Sequence, residues 1–185
     1  HDIGKIGISD AILKKPAKFT EEERNVMKGH TCLGGMLYAN PESPLDEMVR
    51  DVALHHHEWF DGSFHGYPGS FNSELACTMV RNCTITAEDL ANPEICTPYE
   101  MGGPVTVRHP LKGEEIPLSA RIVAVADVFD ALSHKRCYKE AWTLDDAFDE
   151  IAAAAGTQFD PEVVDAFLKI RNRVCAIISS VLDTE

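Results

Sequence analysis

Long apolar runs are missing from this sequence, and none approaches the ~20 residues a membrane-spanning helix needs, so no helical span is expected. Paired cysteines are missing as well. Cys32, Cys77, Cys83, Cys96, Cys137 and Cys175 form no C-x-x-C, so zinc-ribbon spacing is absent. A chain of 185 residues also buries enough apolar surface to need no disulfide framework. Most of the six read as buried thiols in a reducing cytoplasm, while the grouping of Cys77, Cys83 and Cys96 leaves a structural metal or a redox role open. Cations are scarce, with 17 Lys and Arg against 30 Asp and Glu and a net charge of −13. That balance argues against a surface for DNA or RNA polymers, though not against a small anion held by a metal and a few cations. A signal peptide and an initiator Met are both absent, so the opening His1-Asp2-Ile3-Gly4 is read as the start of a piece of a longer protein.

Strict alternation of apolar and polar residues is almost absent too, and helical periodicity takes its place. Thr20-Glu21-Glu22-Glu23 has the form of a capping box and opens a helix expected to reach Ala39, with Val26, Leu33 and Leu37 on the face of His30. Pro44 starts a second helix, whose stripe Leu45, Met48, Val49, Val52 and Ala53 continues into His56 and His57. A nearly all-apolar helix runs from Leu118 to Leu132. Thr143 and Asp146 cap another that ends at Gly156, and Asp160-Pro161 begins the last. The fold expected is an all-α bundle of about five to seven helices with an irregular insertion. The corresponding parts are residues 1–69, an insertion at 70–109 rich in proline and glycine, and residues 110–185.

Chemistry concentrates in a few places. His1-Asp2 offers a nitrogen and a carboxylate side by side, a donor pair suited to iron, manganese or zinc, and the carboxylate can bridge two metals. His56 and His57 extend an inward-facing apolar stripe, where unpaired imidazoles are costly, and His30 lies on a neighbouring core face. These histidines read as metal ligands in preference to hydrogen-bonded core residues, whereas His55 points elsewhere. Asp127 is a carboxylate in an apolar helix and requires a metal, a cation or several donors. Asp130, one turn on, could orient an imidazole. Arg136 and Lys139 suit phosphate oxygens if they lie near a metal, and are otherwise surface cations.

Taken together, the motifs resemble the HD-GYP domain, a branch of the HD-superfamily phosphohydrolases. The resemblance runs through His1-Asp2-Ile3-Gly4-Lys5, Lys14-Lys15-Pro16, Met27-Lys28-Gly29-His30, His56-His57-Glu58, Asp61-Gly62-Ser63 and Gly66-Tyr67-Pro68. It continues through Gly113-Glu114-Glu115-Ile116-Pro117, Asp127-Val128-Phe129-Asp130, Arg136-Cys137-Tyr138-Lys139 and Phe159-Asp160-Pro161. It implies an HD-superfamily helical bundle that hydrolyses cyclic di-GMP to pGpG or onward to GMP, in bacterial second-messenger signalling. The implied metal ligands are His1, Asp2, His30, His56, His57 and Asp127, for about two or three divalent ions, iron first, then manganese or another divalent metal. Lys5 and Asp2 are the implied catalytic pair, Tyr67, Arg136 and Lys139 hold the cyclic dinucleotide, and Asp130 and Glu58 orient the ligands. A cytoplasmic setting, an upstream sensory or receiver domain and a homodimer complete what the resemblance implies. Two residues, Phe64 and His65, interrupt the usual link into Gly66-Tyr67-Pro68, and the insertion at 70–109 is read as a lid, a docking element or a plain surface loop. Hydrolysis of another nucleotide or phosphoester, and a domain that binds a cyclic dinucleotide or a protein without turnover, are the competing readings.

Overall fold

Helices begin where a side chain can satisfy the first free N–H groups of the backbone. The computed structural model describes residues 1–63, 65–67, 110–134 and 141–182. In it, Ser9 caps α1 (Asp10–Leu13), Thr20 caps α2 (Glu21–Lys28) and Ser43 caps α4 (Pro44–His55). Thr143 caps α6 (Leu144–Ala153), and Asp160 caps α7 (Pro161–Lys169). The capping box at α2 is reciprocal: the Thr20 hydroxyl accepts from Glu23 N at 3.2 Å, and the Glu23 carboxylate accepts from Thr20 N at 2.8 Å. The remaining elements are α3 (His30–Met36), α5 (Leu118–Ser133), α8 (Arg171–Leu182) and two 3-10 turns, Asp2–Gly7 and Gly113–Glu115. The protein is all-α, with no strand among the described residues. None of these helices is long and apolar enough to cross a membrane. The insertion at 70–109 lies outside the described residues, as do Cys77, Cys83, Cys96 and Cys137. Cys32 is buried and Cys175 half-buried, both as free thiols.

The described residues hold eight α-helical segments, more than expected, because two anticipated helices are each divided and the short α1 was not anticipated. The one expected from Thr20 to Ala39 breaks at Gly29 and ends at Met36. There the last carbonyls of α2 are taken by side chains: His30 Nδ1 donates to Met27 O at 2.7 Å, and the Thr31 hydroxyl donates to Lys28 O at 3.1 Å. Side chains that bond nearby carbonyls compete with the helical ladder, and glycine weakens the ladder further. The helix opened by Asp160 divides at Ile170. Beside that break Arg171 reaches back to α6, donating to Asp145 at 2.5 Å and lying 4.7 Å from the Phe148 ring.

Two apolar clusters form the interior of the described residues. One joins α5, α6 and α7 around Val125, Phe129, Phe148, Ile151, Phe159 and Val164. Its rings interlock, with centroids 4.6 Å apart for Phe129 and Phe148 and 5.0 Å for Phe129 and Phe167, distances at which aromatic pairs attract beyond their buried area. Arg121 anchors the far end of this cluster by donating to the buried Asp160 carboxylate. The second cluster gathers Ile8, Val26, Cys32 and Leu33 beneath the first 3-10 turn. The expected stripe on α4 is buried only toward its C-terminal end: Ala53 is wholly enclosed, while Leu45 and Met48 are exposed. Leu37, expected to face the core, is exposed as well, because α3 ends one residue before it.

Close approach of backbone sets the position of the N-terminal turn. A Cβ on Gly4 would lie 1.9 Å from His30 O and 2.4 Å from Gly34 N, so only glycine permits the Asp2–Gly7 turn to seat on α3. That seating brings Asp2 to His30, the first residue of α3, and His1 to Asp127 of α5.

Candidate metal centre

Four segments deliver side chains to one point: the N-terminal turn carries His1 and Asp2, α3 begins with His30, α4 ends beside His56 and His57, and α5 supplies Asp127. His30 Nε2 lies 3.3 Å from His56 Nε2 and 3.4 Å from Asp2 Oδ1. His1 Nε2 lies 3.4 Å from Asp2 Oδ2 and 3.5 Å from Asp127 Oδ1. The His56 and His57 rings are 4.0 Å apart, and those of His30 and His57 are 5.2 Å apart. Lys5 Nζ donates to Asp2 Oδ2 at 2.5 Å. The structure thus gathers His1, Asp2, Lys5, His30, His56, His57 and Asp127.

The donor set fits a metal ion, on grounds of hydrogen-bond chemistry. His56 Nδ1 donates to Val52 O at 2.8 Å, as His30 Nδ1 does to Met27 O. A carbonyl only accepts, so both rings carry their proton on Nδ1, and in a neutral imidazole the other nitrogen is then a bare lone pair. Two such lone pairs face each other at 3.3 Å in a buried site, an arrangement that repels unless a cation lies between or beside them. Ligands about 2.1 Å from one tetrahedral ion stand about 3.4 Å apart, close to the 3.3–3.5 Å separations found here. The ligating atoms of His30, His56 and His57 all fall within 4.8 Å of one another. The carbonyl bonds to Nδ1 are the kind of outer contact that orients a metal-binding imidazole.

Electrostatics divides the cluster into a neutral and a charged half. Burial lowers the pKa of His30, and it lowers His56 to about 4 and His57 to about 2, with neighbouring imidazoles adding to the last two shifts. These rings are neutral at pH 7. His1 goes the other way: facing Asp127 and Asp2, it is raised to about 9. The Asp127 carboxyl is held below the usual range by His1. Burial acts to raise Asp2, but His1 and Lys5 outweigh it and keep that carboxyl low. The carboxylate half therefore attracts positive charge, and His1 carries a proton there.

Tyr67 adjoins the neutral half. Its ring stacks on His57 with centroids 4.5 Å apart, its N–H donates to His57 O at 3.1 Å, and Lys28 Nζ lies 5.5 Å from its centroid. The phenol is pushed up by burial, with Asp2 and Asp127 adding to the shift. A Cβ on Gly66 would come within 2.4 Å of His57 O, so the glycine before Tyr67 is what lets this loop close over the histidine despite the extra Phe64 and His65. Pro68, Arg136 and Lys139 lie outside the described residues. Asp130, anticipated beside an imidazole of the site, is exposed and pairs with His134 Nδ1 at 3.1 Å. Glu58 is buried but meets His55, with 2.6 Å between Oε1 and Nδ1. Sequence reasoning passed over the His55–Glu58 pair, for which the i, i+3 spacing across consecutive histidines was an available signal, and the Lys28–Tyr67 contact, for which no local signal exists.

Comparison with known proteins agrees with this geometry. An HD domain model matches residues 1–132, and a second HD domain model matches residues 109–163. The chain belongs to the HD domain family. Within it, the His56-His57-Glu58 and Gly66-Tyr67-Pro68 motifs place it in the HD-GYP branch. It is 39% identical to the cyclic di-GMP phosphodiesterase response regulator RpfG of Xanthomonas campestris, over 97% of this chain and 37% of the relative. It is 38% identical to a cyclic di-GMP phosphodiesterase of Thermotoga maritima, over 94% of this chain and 36% of the relative. A 3'3'-cGAMP-specific phosphodiesterase 2 of Vibrio cholerae is 32% identical, over 99% of this chain and 27% of that protein. The chain spans about a third of the length of such relatives.

Proposed function

We propose that this chain is the hydrolytic domain of a metal-dependent cyclic di-GMP phosphodiesterase that opens the ring to pGpG and can carry hydrolysis on to GMP. The observation that supports it most is the pair of unprotonated Nε2 atoms of His30 and His56, facing each other beside Asp2. His1, Asp2, His30, His56, His57 and Asp127 would hold two or three divalent ions, about the number that such a mixed donor set can serve, with iron the first candidate and manganese the next. When bound, the metals supply positive charge for the phosphoryl oxygens and lower the pKa of a water molecule.

The chain's own residues do the rest. His30, His56 and His57 stay neutral and keep their lone pairs available. Asp2 and Asp127 stay ionised, and the proton on His1 leaves when a metal takes its place. Lys5, held by Asp2, is the catalytic cation: its ammonium offsets charge that grows on a non-bridging phosphate oxygen. Tyr67, stacked on His57, is assigned to donate to substrate through its protonated phenol, and Arg136 and Lys139 are assigned to the remaining phosphate. The rest of the protein is proposed to be a sensory or receiver part, in a cytoplasmic homodimer that meets an intracellular messenger.

The test is turnover of cyclic di-GMP and 3'3'-cGAMP by the full-length, metal-loaded protein, with products separated by chromatography. Linear pGpG from cyclic di-GMP is expected, abolished in His56→Ala. Preference for the mixed dinucleotide would follow the Vibrio cholerae relative instead. Binding of metal and dinucleotide with no product would make the domain a sensor.

A further inference from the structure

Metal-ligating side chains need a backbone that holds still, and His56 and His57 lie at the C-terminal end of α4, where His56 N makes the closing bond to Val52 O and helices fray. In this structure that segment is closed twice. Glu58 N donates to His55 O at 3.0 Å, and above this backbone bond His55 Nδ1 donates to the Glu58 carboxylate at 2.6 Å. His56 and His57 are the two middle residues of the turn so clamped. The other carboxylate oxygen of Glu58 accepts from Leu111 N, also at 2.6 Å and 53 positions along the chain. Leu111 leads through the Gly113–Glu115 turn into α5, the helix of Asp127, and Gly113 N donates to Phe60 O at 2.8 Å to fasten the same junction.

We propose that Glu58, with His55, is a positioning latch for the metal centre: one carboxylate sets both the turn that presents His56 and His57 and the approach of the helix that presents Asp127. It touches neither metal nor substrate and acts through the backbone. The side chain is almost fully enclosed, 1% exposed, and a buried hydrogen-bonded pair is often no more stabilising than an apolar replacement of the same shape. Two short bonds to groups in different segments are what a carboxylate provides here and an apolar side chain cannot. His55 has its ring turned onto Glu58, which explains why three consecutive histidines contribute only two members to the cluster.

This inference rests on the metal reading of the site, and the experiment separates the two. Full-length wild type, Glu58→Gln, His55→Gln and the double variant are stripped of metal, and Mn2+ affinity is measured by equilibrium dialysis alongside thermal melts of the metal-free proteins. Each single variant is expected to bind Mn2+ about 10–100-fold more weakly, as losses of outer partners do at other metal sites. The double variant should be no worse than Glu58→Gln alone, because that change already removes the bond His55 makes. Turnover lost at limiting Mn2+ should return at saturating Mn2+, which a general loss of folded structure would not allow. Unchanged Mn2+ affinity in both single variants, or additive losses in the double, overturns the latch while leaving the metal site in place. A wild type that takes up no Mn2+ overturns the metal reading and the latch with it.

Discussion

At the scale of single residues, the centre depends on imidazoles whose charge state is set by where they stand. His30, His56 and His57 bind protons less readily when folded than in the unfolded chain, where an imidazole titrates at about 6.5. Their contribution to stability is therefore complete above that value and is lost as pH falls through the depressed range. Metal-free protein should show a Tm that declines between pH 6.5 and about 4, the folded value of His56. A Tm level across that window would mean that the three rings are not buried as neutral groups. An ordinary imidazole would place the acid limit of activity near pH 6, and burial moves the requirement for neutral ligands below it. His1 has the opposite sign. Its pKa is raised, so the stability it adds is full below about 6.5 and disappears as pH rises through about 9.

At the scale of elements, the centre is as good as the seating of four segments on one another. The Asp2–Gly7 turn lies so close to α3 that a side chain at Gly4 has nowhere to go, its Cβ falling 1.9 Å from a backbone oxygen that cannot rotate away. Gly4→Ala is expected to destabilise by at least about 1–3 kcal/mol, the usual cost of overpacking. It should also weaken metal binding disproportionately, because the displaced turn carries His1 and Asp2. Metal titration and denaturant melts of the variant check both effects, and a variant with wild-type affinity for metal would show that the turn seats elsewhere. Capping and periodicity made most helices legible in advance, down to Thr20, Pro44, Thr143 and Asp160. The divisions at Gly29 and Ile170 were not legible. At Gly29 the choice lies between the helical ladder and local side-chain bonds from His30 and Thr31 to carbonyls three residues back, which spacing does not distinguish. At Ile170, Arg171 meets Asp145 only once the helices have packed.

At the scale of the whole molecule, a centre whose donors come from four packed segments means that metal and fold are linked. A ligand that binds only the folded state stabilises it by mass action, by about 2.7 kcal/mol at one hundred times Kd. Saturating Mn2+ should raise the Tm of the wild type, and EDTA should reverse both that rise and any phosphodiesterase turnover. A Tm indifferent to metal would place the ions away from the folded centre. The net charge of −13 works in the same direction, since cations entering an acidic domain reduce its self-repulsion.

The sequence by itself determined the helical class, most helix starts and the histidines and aspartates gathered at the centre, because capping, periodicity and donor chemistry are properties of neighbouring residues, while Lys5 and Tyr67 were indicated by the family resemblance alone. Only the tertiary structure decided that Glu58 meets His55 and Leu111, that Asp130 turns to His134, and that His30 and His56 face each other with bare nitrogens. The Glu58–Leu111 and His30–His56 contacts depend on distances between segments far apart in the chain, whereas the His55–Glu58 and Asp130–His134 pairs are local and depend on which way each side chain turns. Residue spacing along a helix specifies a face, but which group stands opposite that face is set by packing.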